Sequence, residues 1–356
     1  MAPSSSQSTP QAMTFRFLGD SGLLVSKLAL GAWMDYNPEY TADKWFAVMK
    51  TAFDHGVNLF DTAEMYGNGQ SEQLVGGAIQ KGIDNGVWTR EDLVVTAKIF
   101  SGTKGFVDFG PNDLGLSRKH LVEGTKASLK RLQLDYVDVI FCHRPESCTP
   151  IEETVRAMNF IIDQGWALYW GTSEWSSLAI QEACDVADRL GLVRPIVEQP
   201  QYNILERSKV EFEFADLIKK NKLGLTVWSP LCSGILTGKY AHGIPSGTRL
   251  DQAIMRTLLP DSADKIAQAA KLEGIAAKVG CSLAQLAIAW CASNENVSAV
   301  LLGAKTPAQL EETLKSLEFV DKITPEIKSE IDAAVSFVPK LAVTTQGAPF
   351  MRQRFL

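Results

Sequence analysis

The feature that most constrains this chain is an alternation repeated eight times: a short apolar or β-branched run, a polar loop, then a helical stretch. The runs begin at Leu28 (LALGAW), Asn58 (NLFDTA), Leu93 (LVVTAKI), Val137 (VDVIFCH), Ala167 (ALYWGTS), Pro195 (PIVEQPQY), Leu223 (LGLTVWSP) and Ser298 (SAVLLGAK). Strands apolar along their whole length are buried on both faces, and alternation with helices makes neighbouring strands parallel. Eight such units predict an α/β fold, a closed (β/α)8 TIM barrel with its helices outside. Two independent α/β domains would also suit 356 residues, but nothing resembling a linker interrupts residues 140–220.

Helix ends support the alternation. Ser117 precedes an amphipathic run to Leu132, Pro150 opens a helix stopping at Gly165, Ser176 opens one stopping at Gly191, and Thr306-Pro307 pairs an N-cap with a first-turn proline. TFRFLGDSGLLVSKLALG reads as an N-terminal β-hairpin turning at Gly19-Asp20-Ser21-Gly22. A long Gly/Pro/Ser-rich loop from Leu231 to about Asp261 follows strand seven, where a functional lid is expected. An extra helix from Thr324 to Val338 ends the ordered part. The expected organisation is a disordered tail over 1–13, one barrel over 14–340 and a C-terminal tail over 341–356.

Composition narrows the function. Hydrophobic residues make up 46% and charged residues 21%, enough apolar material for a sizeable core. Thirty-five basic against forty-one acidic residues leave a net charge of −6, with no electrostatic footprint for nucleic acid or an anionic membrane. Six cysteines without a CxxC pair form neither a disulfide framework nor a zinc site. Only four histidines are present, and Cys142 and His143 face opposite sides of their strand, so no metal site is expected. The chain has no run of 18 apolar residues, and MAPSSSQSTPQAM lacks the charged start and apolar centre of a secretory signal. A cytoplasmic address is expected.

Chemistry in such a barrel sits at the C-terminal ends of the strands. Strand two ends in FDTAEMYG with Asp61 at the rim and Tyr66 just beyond; strand three ends at Lys98, strand four at His143, strand five at Ser173 and strand six near Gln199. Strand seven ends in Trp228-Ser229-Pro230. A carboxylate, a phenol, an ammonium and an imidazole thus converge. A buried lysine is expected to lower the phenol's pKa, the aspartate to hold the lysine, and a neutral imidazole to orient a carbonyl oxygen. Such a set can protonate an oxyanion as it forms, as carbonyl reduction by hydride requires. The stretch GNGQSE after Tyr66 has Glu72 where GxGxxG ends in glycine and lacks a downstream ribose contact, so a dinucleotide fingerprint is rejected. After strand eight, GAKTPAQLEET places Lys305 beside a helix N-terminus, a natural phosphate site.

Five stretches, NLFDTAEMYG, LSRKHLVEGTKASLKRLQLDYVDVIF, TPIEETVRAMNFIIDQGWALYWGTS, VWSPLCSGILTGKY and LAQLAIAWC, resemble the aldo-keto reductases, in the branch that contains voltage-gated potassium channel β-subunits. The resemblance spans about residues 14–340. It implies that Asp61, Tyr66, Lys98 and His143 are the catalytic tetrad, with Tyr66 the proton donor. It also implies NADPH as cofactor, with Ser173 and Gln199 at the carboxamide and Trp228 against the nicotinamide. The run Ser229, Pro230, Leu231, Cys232 and Gly234, with Lys239 and Arg249, would wrap the pyrophosphate. Lys305 and Gln309 would face the 2′-phosphate and Glu312 the adenine, with Trp33 and Gly303 also at the cofactor. Glu174 replaces an arginine of the channel subunits, Gly247 a tyrosine and Thr313 a common asparagine, so readier cofactor exchange is expected. Vertebrate channel subunits carry asparagine where this chain has His143, which favours turnover over a purely regulatory, redox-sensing role on a channel. That branch forms fourfold homotetramers. Trp33, Met34, Tyr36, Trp88, Phe100 and Trp175 are candidate aromatic walls for a small carbonyl substrate.

Overall fold

Period-two side-chain alternation decides what this barrel holds inside. The computed structural model describes residues 13–33, 36–105, 108–252, 255, 257 and 259–340. The strands are β1 (Phe15–Phe17), β2 (Leu24–Ser26), β3 (Leu28–Gly31), β4 (Leu59–Asp61), β5 (Val94–Ile99), β6 (Val137–Cys142), β7 (Ala167–Ser173), β8 (Val197–Gln199), β9 (Gly224–Val227) and β10 (Ala299–Leu302). β1 and β2 form the antiparallel hairpin, and β3 to β10 form a closed parallel barrel in which β10 pairs with β3. All eight expected strands are present. The fold is a (β/α)8 TIM barrel.

The inner core is made by Ala29, Leu59, Val139, Phe141, Val197, Ala299 and Leu301, closed from below by Leu18 and Val25 of the hairpin. A larger apolar layer lies outside, between strands and helices. Gly171 faces inward where a Cβ would lie 2.9 Å from the Phe141 ring and 2.6 Å from Val197, so only glycine admits both side chains. At the hairpin turn, Gly19 has φ +62° and a Cβ there would sit 2.0 Å from the Ile196 carbonyl oxygen. That contact seats the hairpin on the barrel floor.

The helices are α1 (Ala42–Asp54), α2 (Gln70–Asp84), α3 (Arg118–Leu132), α4 (Ile151–Asp163), α5 (Ser177–Leu190), α6 (Ala215–Asn221), α7 (Ser262–Ala270), α8 (Glu273–Val279), α9 (Leu283–Ala292), α10 (Pro307–Leu314) and α11 (Pro325–Ala334). The side chains of Ser117, Ser176, Thr306 and Thr324 accept N-terminal N–H groups of α3, α5, α10 and α11, as capping requires. Gly191 ends α5 in the left-handed conformation, φ +63°. No single helix among the described residues is long and apolar enough to cross a membrane; α7 to α9 pass only as a pair bent by 83°. The stretches expected as tails lie outside the described residues except for Met13, which packs beside Gly56.

Candidate active site

The same inward register continues to the C-terminal rim, and polar residues replace apolar ones on or just past β4, β5, β6 and β8. Leu59 is followed by Asp61, Val94 by Thr96 and Lys98, Phe141 by His143, Val197 by Gln199, and Leu301 by Gly303. Asp61, Lys98 and His143 are therefore a consequence of register, while Tyr66 comes from the turn after β4.

Lys98 is fully buried, and its Nζ donates to Asp61 Oδ2 at 2.5 Å, the Thr62 carbonyl at 2.8 Å and Tyr66 Oη at 3.3 Å. Asp61 Oδ1 accepts from Thr96 Oγ1 at 2.6 Å and from Gln199 Nε2 at 3.0 Å. Tyr66 opens the short turn Tyr66–Gly69 after β4, and its ring meets His143 edge-on, centroids 5.7 Å apart. All four groups are buried.

The electrostatics depart from the expectation at Tyr66. Burial raises its pKa and outweighs the lowering by Lys98, so the phenol stays protonated beyond the ordinary tyrosine range. Desolvation, with Arg144 and Lys98 adding to it, holds His143 well below the usual histidine value, so the imidazole is neutral. Its Nδ1 is buried and has no partner among the described residues, the kind of atom that an oxygen of a bound molecule satisfies.

The other residues expected at a cofactor ring the same rim. Ser173 ends β7 and donates through Oγ to the Gln199 carbonyl at 2.9 Å. Gln199 donates Nε2 to Asp61, which links the end of β8 directly to the tetrad. Trp228 follows β9; Ser229, Cys232 and Ser233 are left-handed, with φ of 58°, 48° and 56°. Pro230 and Leu231 lie within this loop, and Gly234 is left-handed too. The loop is held by its own backbone: the Cys232 N–H donates to the Ser229 carbonyl at 3.0 Å and the Gly234 N–H to the Leu231 carbonyl at 2.9 Å. At Gly234 a Cβ would sit 2.9 Å from Lys239 Nζ, so the missing side chain makes a cradle with an ammonium against it. Arg249 stacks on Trp33, guanidinium to ring 4.2 Å, tying the loop after β9 to the residues that follow β3.

Gly303 and Lys305 are exposed after β10, and Gln309 Oε1 accepts the Lys305 N–H at 3.0 Å over the start of α10. Glu312 is partly engaged: Gln285 Nε2 lies 2.9 Å from Oε1 and Lys315 Nζ 3.0 Å from Oε2. These residues follow β7, β8, β9 and β10 along one side of the rim, with Lys305 at one end.

Some expectations are corrected. Trp88 precedes β5 at the opposite end of the barrel and packs on Phe46 and Phe53 in the outer layer. Trp88 is therefore not an aromatic wall of the mouth; Phe100 and Trp175 are buried in the large apolar cluster. Trp33 and Tyr36 are exposed at the rim; Met34 lies outside the described residues. Sequence reasoning missed Thr96, whose spacing of two from Lys98 was the available signal. It also missed Glu64, which anchors the loop after β5 by accepting the N–H groups of Phe100 and Gly102 at 2.7 and 2.8 Å. Glu174, set aside as a departure, holds the Trp228 indole N–H at 2.9 Å.

Comparison with known proteins agrees with this geometry. The model of the Aldo/keto reductase family matches residues 27–336. The chain belongs to the aldo-keto reductase family. Among its relatives, a protein of Arabidopsis thaliana named "Probable voltage-gated potassium channel subunit beta" is 50% identical over 331 residues, 92% of this chain and 98% of the relative. A protein of Oryza sativa subsp. japonica with the same name is 51% identical over 334 residues, 92% and 98% of the two chains. The family is one of oxidoreductases, and the branch is the one that the sequence motifs resemble.

Proposed function

We propose that this protein reduces an aldehyde or ketone to an alcohol, with NADPH as hydride donor and Tyr66 as proton donor, in the cytoplasm. The observation that carries the reading is the complete tetrad: a protonated phenol within hydrogen-bond reach of Lys98 and edge-on to a neutral His143. Bound NADPH would supply the hydride. Trp33, Ser173, Gln199, Trp228, the loop from Ser229 to Gly234, Lys239, Arg249, Gly303, Lys305, Gln309 and Glu312 would hold it. Tyr66 gives its proton to the substrate oxygen as negative charge forms there. The ammonium of Lys98 then faces the phenolate, and Asp61 fixes the ammonium by accepting at 2.5 Å. The neutral imidazole directs the carbonyl oxygen toward the phenol. Replacing Tyr66 by Phe keeps the ring and removes the proton. In an NADPH-oxidation screen over aldehydes and ketones, Tyr66→Phe should lose roughly 10²–10⁴-fold in rate, as removal of a general acid does, while still binding NADPH. Wild-type turnover by the variant would refute Tyr66 as the acid.

The names of the relatives favour a second reading: a regulatory subunit docked on a potassium channel, in which a slowly turning cofactor senses redox state. Copurification of a channel with this chain, together with negligible turnover across the carbonyl panel, would select it. Under either reading we propose a fourfold homotetramer.

A further inference from the structure

The residue after Ser173 adopts a backbone conformation that side chains rarely take: Glu174 has φ +60°. From that turn its carboxylate reaches three partners. Oε1 accepts the Gln201 N–H at 2.6 Å and the Trp228 Nε1–H at 2.9 Å, and Oε2 pairs with Lys209 Nζ at 2.9 Å. Lys209 is itself steadied by the Trp175 carbonyl at 3.2 Å. Burial would raise the carboxyl's pKa, but Lys209, Arg144 and the Gln201 N–H prevail and keep it below the usual glutamate range.

The Trp228 backbone is fixed independently of Glu174. Its N–H donates to the Pro200 carbonyl at 3.1 Å, and its carbonyl accepts the Tyr202 N–H at 3.2 Å. What remains free is the ring. The indole is half-buried against the inner core, and its one polar atom is taken by Glu174. A hydrogen bond to a charged acceptor is shorter and stronger than a neutral one, so this bond sets the plane of the ring.

We propose that Glu174 is a positioning residue: it locks the Trp228 indole as a preformed flat wall for the nicotinamide ring, without touching the cofactor. The inference rests on the cofactor reading above, and adds to it a role for the Glu174 carboxylate. Because the wall is set before binding, the cofactor does not meet the cost of ordering it.

The test is a double-mutant cycle read by cofactor affinity, with an indole readout on the cofactor-free protein. Glu174→Ala should weaken NADPH and NADP+ binding by about tenfold, the order expected when a buried donor loses its acceptor. Glu174→Gln keeps an acceptor for the indole and loses the pair with Lys209; it should recover most of that affinity. In a Trp228→Phe background, which has no indole N–H, Glu174→Ala should cost less than about twofold, the signature of coupled neighbours. Without cofactor, the Trp228 Nε1–H resonance, assigned by its loss in Trp228→Phe, should exchange with solvent at least about tenfold faster in Glu174→Ala. Additive losses in the cycle, or an unchanged exchange rate, would overturn the role of Glu174 and leave the cofactor reading intact. A wild-type protein that bound neither NADPH nor NADP+ would overturn both.

Discussion

Lys98 has no exposed surface, and its three N–H donors meet three oxygens, which is why it can be buried at all. Asp61 is satisfied as fully, by Thr96, Gln199 and Lys98. Glu198, one residue before Gln199 and on the outward face of β8, shows the opposite balance. Thr172 Oγ1 donates to it at 2.5 Å, but Oε1 has no partner among the described residues. Burial pushes its pKa up to about 8, despite the counter-pull of Lys209 and Thr172. The folded chain thus keeps a proton that the unfolded chain gives up near the ordinary glutamate value of about 4.3. Folding stability should fall as pH rises through that window, and Glu198→Gln should remove the fall. In urea titrations from pH 5 to 8.5 the variant's advantage should grow with pH; a constant offset would show that Glu198 is ionised in the fold. Residues of the inward register were legible from the sequence because a period of two fixes them. Glu174, Glu64 and Glu198 were not, since what each does depends on partners 26 to 54 positions away in the chain (Gln201, Trp228, Phe100, Gly102 and Thr172).

Between elements, helix contact and helix polarity each make a prediction. Gly76 of α2 faces the C-terminus of α3, and a Cβ there would lie 2.2 Å from the Leu132 carbonyl oxygen. Backbone cannot yield as a side chain can, so Gly76→Ala should destabilise by about 1–3 kcal/mol or more through overpacking. Thermal denaturation checks this, and an unchanged midpoint would mean that α2 and α3 part freely. At the start of α10, Lys305→Ala should weaken NADPH binding far more than NADH binding, because only NADPH presents a 2′-phosphate and charge-assisted hydrogen bonds are worth roughly 1.5–3 kcal/mol. Equal losses in a fluorescence titration would put the phosphate elsewhere. The elements themselves were readable because caps and strand periods are local: Ser117, Ser176 and Thr306 cap the expected helices. Trp88 was misread as an aromatic wall because it lies before its strand, at the end of the barrel away from the mouth.

For the whole molecule, the tetrad comes from β4, β5 and the residues that follow β4 and β6 of one chain, so catalysis should not depend on assembly. His143→Asn is expected to slow hydride transfer while the mass by light scattering stays that of wild type. Unchanged single-turnover rates would make His143 structural and strengthen the regulatory reading. Closure of the barrel has a further consequence, in time rather than space. The seam joins Leu28 to Val300, and the hairpin that plugs the floor rests on the Ile196 carbonyl through Gly19. On a ribosome adding roughly 5–20 residues per second, the earliest strands wait many seconds for the partners that complete them. Until β10 emerges, the outer edge of β3 is an unpaired template of the kind that attracts other chains. A nascent chain stalled before Ala299 should therefore remain open to proteolysis at its N-terminal hairpin, and release of the last strand should close both ends of the molecule at once.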